Sequence, residues 1–159
     1  MIELRELGPE DADALVAMHR TPEVATWWGQ PDAAFPHDDE PGLSVRAIVA
    51  DGELAGFLQF AQEEDPDYRH AAIDLFVDPR KHRRGIGRGA LEAAVRHLVD
   101  ELGHHRITID PATDNTAAIR CYEQAGFTPV GTMRAAWRDQ ATGEWRDALL
   151  MERVELPSR

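Results

Sequence analysis

Cysteine is almost absent from this chain of 159 residues, since Cys121 is the only one. A lone cysteine cannot form an intramolecular disulfide, and it excludes a metal site built on several thiolates. No stretch approaches the roughly 18 consecutive apolar residues that a transmembrane helix needs. The opening residues, MIELRELGPEDADAL, also lack the basic and apolar regions of a signal peptide. These absences predict a cytoplasmic protein without a membrane partner.

Basic charge is scarce as well. Lysine and arginine number 17 against 29 aspartates and glutamates, which leaves a formal net charge of -12. Long-range repulsion of this kind disfavours nucleic acids and anionic membranes, and it favours cationic partners. An acidic surface also keeps a protein soluble, so the net charge alone does not identify a partner.

Histidines with the spacing of metal ligands are missing too. His97, His104 and His105 have no companion residues in a ligand pattern. They are therefore expected at the surface, and no metal site is predicted.

The length of the chain predicts a single domain over residues 1–159, with no internal repeats. Hydrophobic periodicity and turn residues predict alternating strands and helices. The expected strands cover 2–7, 44–50, 53–60, 71–77, 106–110, 127–134, 145–150 and 151–156, and the expected helices cover 12–20, 22–28, 88–102 and 113–125. This order predicts an α/β or α+β sheet with helices on both faces.

Five of the 17 lysines and arginines are concentrated in the segment RKHRRGIGRG, residues 80–89, between a predicted strand and a predicted helix. Glycines let a phosphate approach the backbone, and free N–H groups at a helix start point toward such an anion. The segment lacks the G-x-x-x-x-G-K-[ST] pattern of P-loops and the G-x-G-x-x-G pattern of dinucleotide folds. Taken alone, it fits a pyrophosphate site and a flexible turn with solvated arginines equally well.

A second segment favours the pyrophosphate site. Together, LFVDPRKHRRGIGRGALEAAV and ITIDPATDNTAAIRCYEQAGF resemble the GNAT superfamily of acetyl-CoA-dependent N-acetyltransferases. The resemblance implies a mixed, mostly antiparallel central sheet of six to seven strands, with a V-shaped split between the strands at 71–77 and 106–110. It also implies acetyl-CoA as the cofactor.

The same resemblance implies which residues bind acetyl-CoA. The pantetheine would bind to backbone at Phe76 and Val77, Asn115 would contact the cofactor chain, and Tyr122 would protonate the departing thiolate. The pyrophosphate would lie on the glycine loop, formed by His82, Arg83, Arg84, Gly85, Ile86, Gly87 and Arg88. His82 departs from the family pattern, which has arginine or glutamine in its place.

Two aspartates are the candidate catalytic carboxylates. Asp74 interrupts the apolar strand AAIDLFV, and Asp110 ends RITID. A buried carboxylate needs a cationic or hydrogen-bonding partner, and an incoming ammonium group would be one. Either carboxylate could accept a proton from the amine, or it could hold the amine in position. The alternative for Asp110 is a turn residue before Pro111, and the alternative for Asp74 is a residue on the outward side of its strand.

A narrower resemblance concerns the substrate. TWWGQP, GFLQF, IDLF and IDPATDNTAAIRCYEQAGF resemble segments of aminoglycoside 6'-N-acetyltransferases. This implies that Asp74 and Asp110 face a polycationic substrate, with Trp27, Trp28 and Gln59 also on the substrate side. One tryptophan is expected to stack on a sugar ring and the other to anchor the loop. Acidic loops would attract the cation through Asp38, Asp39, Glu40, Glu63, Glu64, Asp65 and Asp67.

Other functions remain open at this point. The C-terminal segment from Met133 resembles protein and small-molecule N-acetyltransferases as much as drug-modifying ones. The alternative substrates are a protein N-terminal or lysine amine, a polyamine, or an activated lysine derivative in siderophore synthesis. A non-catalytic acyl-CoA sensor is a further alternative, although the presence of Asn115, Tyr122 and both aspartates argues against it. Both a monomer and a homodimer are compatible with the sequence.

Overall fold

The structure, a computed structural model, describes residues 1–37 and 40–156. Four α-helices and seven strands make up its regular part. The helices are α1 (Ala12–His19), α2 (Pro22–Trp28), α3 (Ile86–Arg96) and α4 (Thr116–Gln124), and the strands are β1 (Ile2–Arg5), β2 (Leu43–Ala50), β3 (Glu53–Glu63), β4 (His70–Val77), β5 (Arg106–Ile109), β6 (Thr128–Arg138) and β7 (Trp145–Val154). Short 3₁₀ turns cover Pro9–Asp11 and Pro79–Lys81, and a π-type turn, His97–Glu101, continues α3.

The seven strands form one sheet in the order β1-β2-β3-β4-β5-β7-β6. All neighbouring strands are antiparallel except β4 and β5, which run parallel. This parallel pairing consists of Ala71 with Ile107 and Ala72 with Thr108. The strands separate beyond Ala72, which confirms the predicted mixed sheet and its V-shaped split.

Helices cover both faces of the sheet, as predicted. Side chains alternate between faces along a strand, so Leu58 and Leu75 lie on one face while Phe57 and Phe76 lie on the other. The first face packs against α3 and α4, whose buried residues include Leu91 and Tyr122. The second face forms an aromatic cluster with α1 and α2 that contains Leu15, Val24 and Trp28.

Helix α4 ends where a glycine stop is expected from the sequence. Gly126 has a left-handed φ of 89°. The Phe127 N–H donates to the Tyr122 carbonyl and the Gly126 N–H donates to the Glu123 carbonyl, which is the hydrogen-bond pattern of a Schellman motif. Phe127 is buried, so this ending locks α4 against the sheet.

The end of the chain differs from the prediction. The two closing strands expected at 145–150 and 151–156 are one continuous strand, β7, which pairs with β5 on one side and β6 on the other. Strand β1 ends at Arg5, before the expected boundary at residue 7. A local pattern cannot show that one strand has two partners, because the partners are distant in sequence.

The surface position predicted for His104 is wrong, since its relative exposure is 1%. Its Nε2 atom lies 2.8 Å from Oε1 of Gln62, which is 42 residues away in β3. Burial lowers the pKa of the His104 ring below its usual value, with Arg69 adding to the effect. Long-range packing, rather than the local sequence, therefore decides the environment of this histidine.

Within residues 1–37 and 40–156, no group of three or more metal-binding side chains comes together. In the same part of the chain, every helix is too short or too polar to cross a membrane.

Candidate active site

A cleft of about 1300 Å³ opens where β4 and β5 separate. Its walls come from α2, the end of β4, the glycine loop, α4 and the hairpin between β6 and β7. Fifteen of the sixteen predicted site residues line it: Trp27, Trp28, Gln59, Asp74, Phe76, Val77, His82, Arg83, Gly85, Ile86, Gly87, Arg88, Asp110, Asn115 and Tyr122.

The glycine loop has the backbone of an anion site. Arg83 and Gly85 both have left-handed conformations, with φ of 64° and 73°, and α3 begins at Ile86 directly after them. The N–H groups of the first helical turn have no partner inside the helix, and they point toward the cleft entrance with the positive end of the helix dipole. A Cβ atom at Gly87 would make only an ordinary van der Waals contact with Cys121 Sγ, at 3.5 Å, so the packing of α3 on α4 does not by itself require a glycine there. This geometry fits the pyrophosphate of coenzyme A.

Positive side chains surround this loop. Lys81, Arg83 and Arg88 line the cleft, whereas Arg84 does not, although it was predicted there. Arg84 lies between two left-handed residues, where the backbone turns sharply. Its charge acts instead on Glu53, whose pKa is lowered mainly by a hydrogen bond from Lys81 and in smaller part by Arg84.

The unusual His82 has a structural contact. Its Nε2 atom lies 3.1 Å from the carbonyl oxygen of Val77, at the end of β4. The ring therefore connects the glycine loop to the strand that forms the opposite wall of the cleft. This contact uses the Val77 carbonyl, so only the backbone N–H of Val77 stays open for a pantetheine.

Asn115 and Tyr122 belong to the same helix. Asn115 caps α4, because its side-chain oxygen accepts a hydrogen bond of 3.3 Å from the Ala118 N–H. Its amide nitrogen stays available for another contact. Tyr122 lies two turns later and is 9% exposed. Burial raises the pKa of its phenol, and the charges of Asp74 and Asp110 add to the rise, so the hydroxyl stays protonated at neutral pH.

Asp74 and Asp110 face each other across the open end of the split. Burial raises the pKa of Asp74 to about 7, with the charge of Asp110 as the second cause and the Leu75 N–H opposing it. Burial also raises the pKa of Asp110. Both side chains also reach solvent through the cleft, and that water screens part of the effect on each pKa. Among residues 1–37 and 40–156, neither carboxylate forms an ion pair.

The two tryptophans of α2 have different surroundings. Trp28 packs edge-to-face on Phe76 and Phe57, with ring centroids 5.3 and 6.0 Å away, and it also contacts His19. It therefore anchors the wall of the cleft. Trp27 lines the cleft, and the described residues provide no ring contact for it.

Gln59 lies directly opposite Asp74 on the neighbouring strand β3. Cross-strand partners share one face of a sheet, so both polar side chains point into the cleft. The pairing explains why a glutamine sits within the apolar sequence GFLQF.

Sequence reasoning missed one wall of the cleft. The hairpin between β6 and β7 contributes Ala136, Trp137, Arg138, Asp139 and Gln140. Its tip reaches α2, since the Gln30 N–H donates to the Gln140 side-chain oxygen at 2.9 Å. The only local signal was the polar and aromatic sequence WRDQ at the end of a strand.

The described residues of the acidic loops do not line the cleft. Glu40, Glu63, Glu64, Asp65 and Asp67 all lie outside its walls. Asp38 and Asp39 lie outside the described residues. The carboxylates that do line the cleft are those of Glu23, Asp74, Asp110 and Asp139.

Comparison with known proteins places this geometry in a family. The model of the acetyltransferase (GNAT) family matches residues 7–127. L-amino acid N-acetyltransferase AaaT of Escherichia coli (strain K12) is 28% identical over 97% of this chain and 98% of the relative. Aminoglycoside N(6')-acetyltransferase type 1 of Klebsiella pneumoniae is 26% identical over 83% of this chain and 76% of the relative.

Solved structures agree on the fold. The crystal structure of aminoglycoside acetyltransferase AAC(6')-Ib, in complex with coenzyme A and kanamycin, superimposes with a TM-score of 0.79 at 23% identity. The match covers 97% of this chain and 95% of that one. The family model and the relatives show that this chain belongs to the GNAT family and is an N-acetyltransferase that uses acetyl-CoA, in agreement with the glycine loop and the split sheet.

Proposed function

We propose that this enzyme acetylates a primary amine of a polycationic small molecule, and that the 6'-amine of an aminoglycoside is the foremost candidate. The observation that carries the proposal is the pair Asp74 and Asp110, which faces the cleft beside Tyr122 without a cationic partner in the described chain. Two close carboxylates repel each other, and a bound ammonium group relieves that repulsion.

Acetyl-CoA supplies a thioester whose acetyl group is open to attack by an amine. In the proposed arrangement, the loop from His82 to Arg88 and the start of α3 hold its pyrophosphate. The Val77 N–H and the free amide nitrogen of Asn115 bind the pantetheine. Holding two reactants in the correct geometry contributes roughly 7 to 11 kcal/mol to catalysis, so this binding is a large part of the rate.

The aspartates prepare the amine. An ammonium ion cannot attack a carbonyl, so it must lose a proton first. With a pKa raised to about 7, Asp74 is well matched to accept that proton near neutral pH, directly or through water. Asp110 stays in place as the second carboxylate and positions the amine by charge.

Tyr122 completes the transfer. As the amine nitrogen bonds to the acetyl carbon and the carbon–sulfur bond breaks, the sulfur needs a proton. Among the described residues, no group hydrogen-bonds to the Tyr122 hydroxyl, so it is free to donate. A positioned general acid contributes about 10² to 10⁴ in rate.

A free amino acid is the second candidate substrate. L-amino acid N-acetyltransferase AaaT of Escherichia coli, which matches almost the whole of this chain, is named for that activity. A substrate carboxylate needs a cation, and Arg138 lines the cleft as an exposed side chain. Against this, four carboxylate residues, Glu23, Asp74, Asp110 and Asp139, line the same cleft and repel a substrate carboxylate.

The test is a panel of amines with acetyl-CoA, read by mass spectrometry of the products. The panel holds kanamycin, neamine, spermidine, a set of L-amino acids and a ribosomal N-terminal peptide. We expect acetylated aminoglycosides at the highest kcat/KM. Acetylation of the amino acids or the peptide with no aminoglycoside product would overturn the proposed substrate. Tight acetyl-CoA binding with no product at all would support the acyl-CoA sensor.

A further inference from the structure

The hairpin wall of the cleft contains a wide bulge in β6. Met133 pairs with Ala148 and Trp137 pairs with Arg146, so residues 134–136 stand opposite Asp147 alone. Ala135 takes a left-handed φ of 50°, and its N–H donates to Oδ1 of Asp147 at 2.9 Å. A left-handed alanine costs roughly 1–2 kcal/mol. Bulges of this kind re-aim side chains next to active sites.

The side chain that the bulge positions is Trp137. It shares one face of the ribbon with its partner Arg146 and with Ala148, which lies two residues from Arg146 on β7. Ala148 and Trp137 both line the cleft. The bulge therefore places the indole of Trp137 in the cleft wall, with Arg146, which does not itself line the cleft, as its cross-strand partner.

Both of these side chains carry a buried donor without a partner. Nε1 of Trp137 and Nε of Arg146 are shielded from solvent and form no hydrogen bond in the described chain. A buried donor left unpaired costs about 1–3 kcal/mol. Two such donors on adjacent cross-strand partners form a local site that an oxygen acceptor would satisfy.

The charge of this site selects the kind of oxygen. Nη2 of Arg146 lies 3.1 Å from Oδ2 of Asp139. Backbone N–H donation from Ala141 lowers the pKa of Asp139, and Arg146 lowers it further, so this pair is ionised and neutral overall. On the substrate side of the cleft, Asp74 and Asp110 disfavour a further anion, although the exposed Arg138 next to Trp137 offsets part of this repulsion. An uncharged oxygen, such as a hydroxyl, ether or carbonyl, fits the two donors.

We propose that Trp137 determines substrate specificity by donating its indole N–H to an uncharged oxygen of the amine substrate, with the Nε–H of Arg146 as a second donor. The enzyme then selects oxygen-bearing amines over oxygen-free polyamines. This inference rests on the proposed function and adds a selection that the aspartates cannot make, because they recognise only the cation. Protein atoms cover both nitrogens, so the proposal requires the hairpin to move when substrate binds; the Gln140 side chain at its tip is held by the Gln30 N–H, just beyond α2.

The kinetic test compares Trp137→Phe with wild type on neamine, an amino sugar, and on spermidine, which has no oxygen. We expect the ratio of kcat/KM for neamine to that for spermidine to fall about 3- to 10-fold, the worth of one neutral hydrogen bond. Arg146→Lys, which removes Nε and keeps a cation near Asp139, should lower the same ratio. The matched control is Trp145→Phe, because Trp145 is 64% exposed and lies outside the cleft walls.

An equal fall for both amines in Trp137→Phe would mean that Trp137 only supports the fold, and it would overturn the inference. An unchanged ratio would overturn it as well. A wild-type enzyme that acetylates no amine would instead refute the proposed function, so the two failures are distinct.

A second measurement uses the wild-type protein and does not depend on turnover. The chain has four tryptophans, and their indole N–H signals can be assigned by triple-resonance NMR. In the presence of coenzyme A, saturating neamine should shift the Trp137 signal downfield and leave that of Trp145 in place, whereas spermidine should move neither. A Trp137 signal that stays fixed while neamine binds would contradict the proposal.

Discussion

The pKa of Asp74 offers a direct test of the paired aspartates. This pKa is about 7, because of burial first and the charge of Asp110 second. Asp74 must be ionised to accept a proton, so kcat/KM should rise with pH through about 7. Asp110→Asn keeps the shape of the side chain and removes its charge. The pKa of Asp74 should then fall, and the acid limb of the pH profile should move to lower pH, because a like charge nearby no longer disfavours ionisation.

The same substitution removes one of the two carboxylates that hold the ammonium group. A charged hydrogen bond contributes about 1.5–3 kcal/mol. Well above the acid limb, at about pH 8, kcat/KM for an aminoglycoside should therefore fall roughly 10- to 100-fold. Affinity for acetyl-CoA should stay close to wild type, since Asp110 lies on the substrate side.

The assay is release of the coenzyme A thiol with kanamycin between about pH 5.5 and 9, where carboxyl and amine titrations are both visible. Ionisation of the amine shapes the profile too, but equally in both enzymes, so the displacement between them reports on Asp74. Asp114→Asn is the matched control, because Asp114 is exposed, outside the cleft walls and only four residues away. An acid limb that is the same in Asp110→Asn and wild type would refute the electrostatic coupling.

Three further outcomes are expected. Tyr122→Phe should lower kcat by about 10² to 10⁴ in the thiol assay while isothermal titration shows unchanged acetyl-CoA affinity; a loss of less than threefold would remove Tyr122 as the proton donor. Because the pKa of Asp74 is higher in the folded chain than its ordinary 3.8, its ionisation destabilises the fold as pH rises from about 4 to above 7. Asp74→Asn should thus raise Tm more at pH 8 than at pH 4. The difference between the two Tm changes should be about 2–4 °C, for a contribution of about 1 kcal/mol after solvent screening. An equal Tm change at both pH values would contradict this reasoning. Raising salt above about 0.1 M should increase KM for kanamycin, because exposed charges are screened within about 10 Å, whereas a constant KM would exclude long-range attraction of the cation.

Much of the cofactor side could be predicted from the sequence, because its determinants are local. The glycines at 85 and 87 sit between a strand and a helix, and the apolar residues of α3 recur with the helical period. The structure buries Leu91, Ala94, Val95 and Leu98 as that period predicts. Asp74 and Asp110 were also predictable, since each departs from an apolar strand.

Other expectations failed or stay open for physical reasons. Arg84 was expected to line the cleft and does not. The residues on each side of it are left-handed, and that conformation depends on three-dimensional context. His104 was expected at the surface and is buried through a partner in β3. The cytoplasmic location, the single domain and the choice between monomer and homodimer stay predictions.

Local signals predicted the order of the elements and singled out the glycine loop, Asp74 and Asp110, because periodicity and turn residues act over a few residues. The role of Tyr122 came only from the resemblance to the GNAT family. Only the tertiary structure decided where β4 and β5 part, which places Asp74 and Asp110 within range of each other's charge. It also decided that the hairpin of β6 and β7 forms a wall of the cleft with Trp137 and Arg138. Those positions depend on the register between distant strands and on a bulge, and neither leaves a periodic signal in the chain.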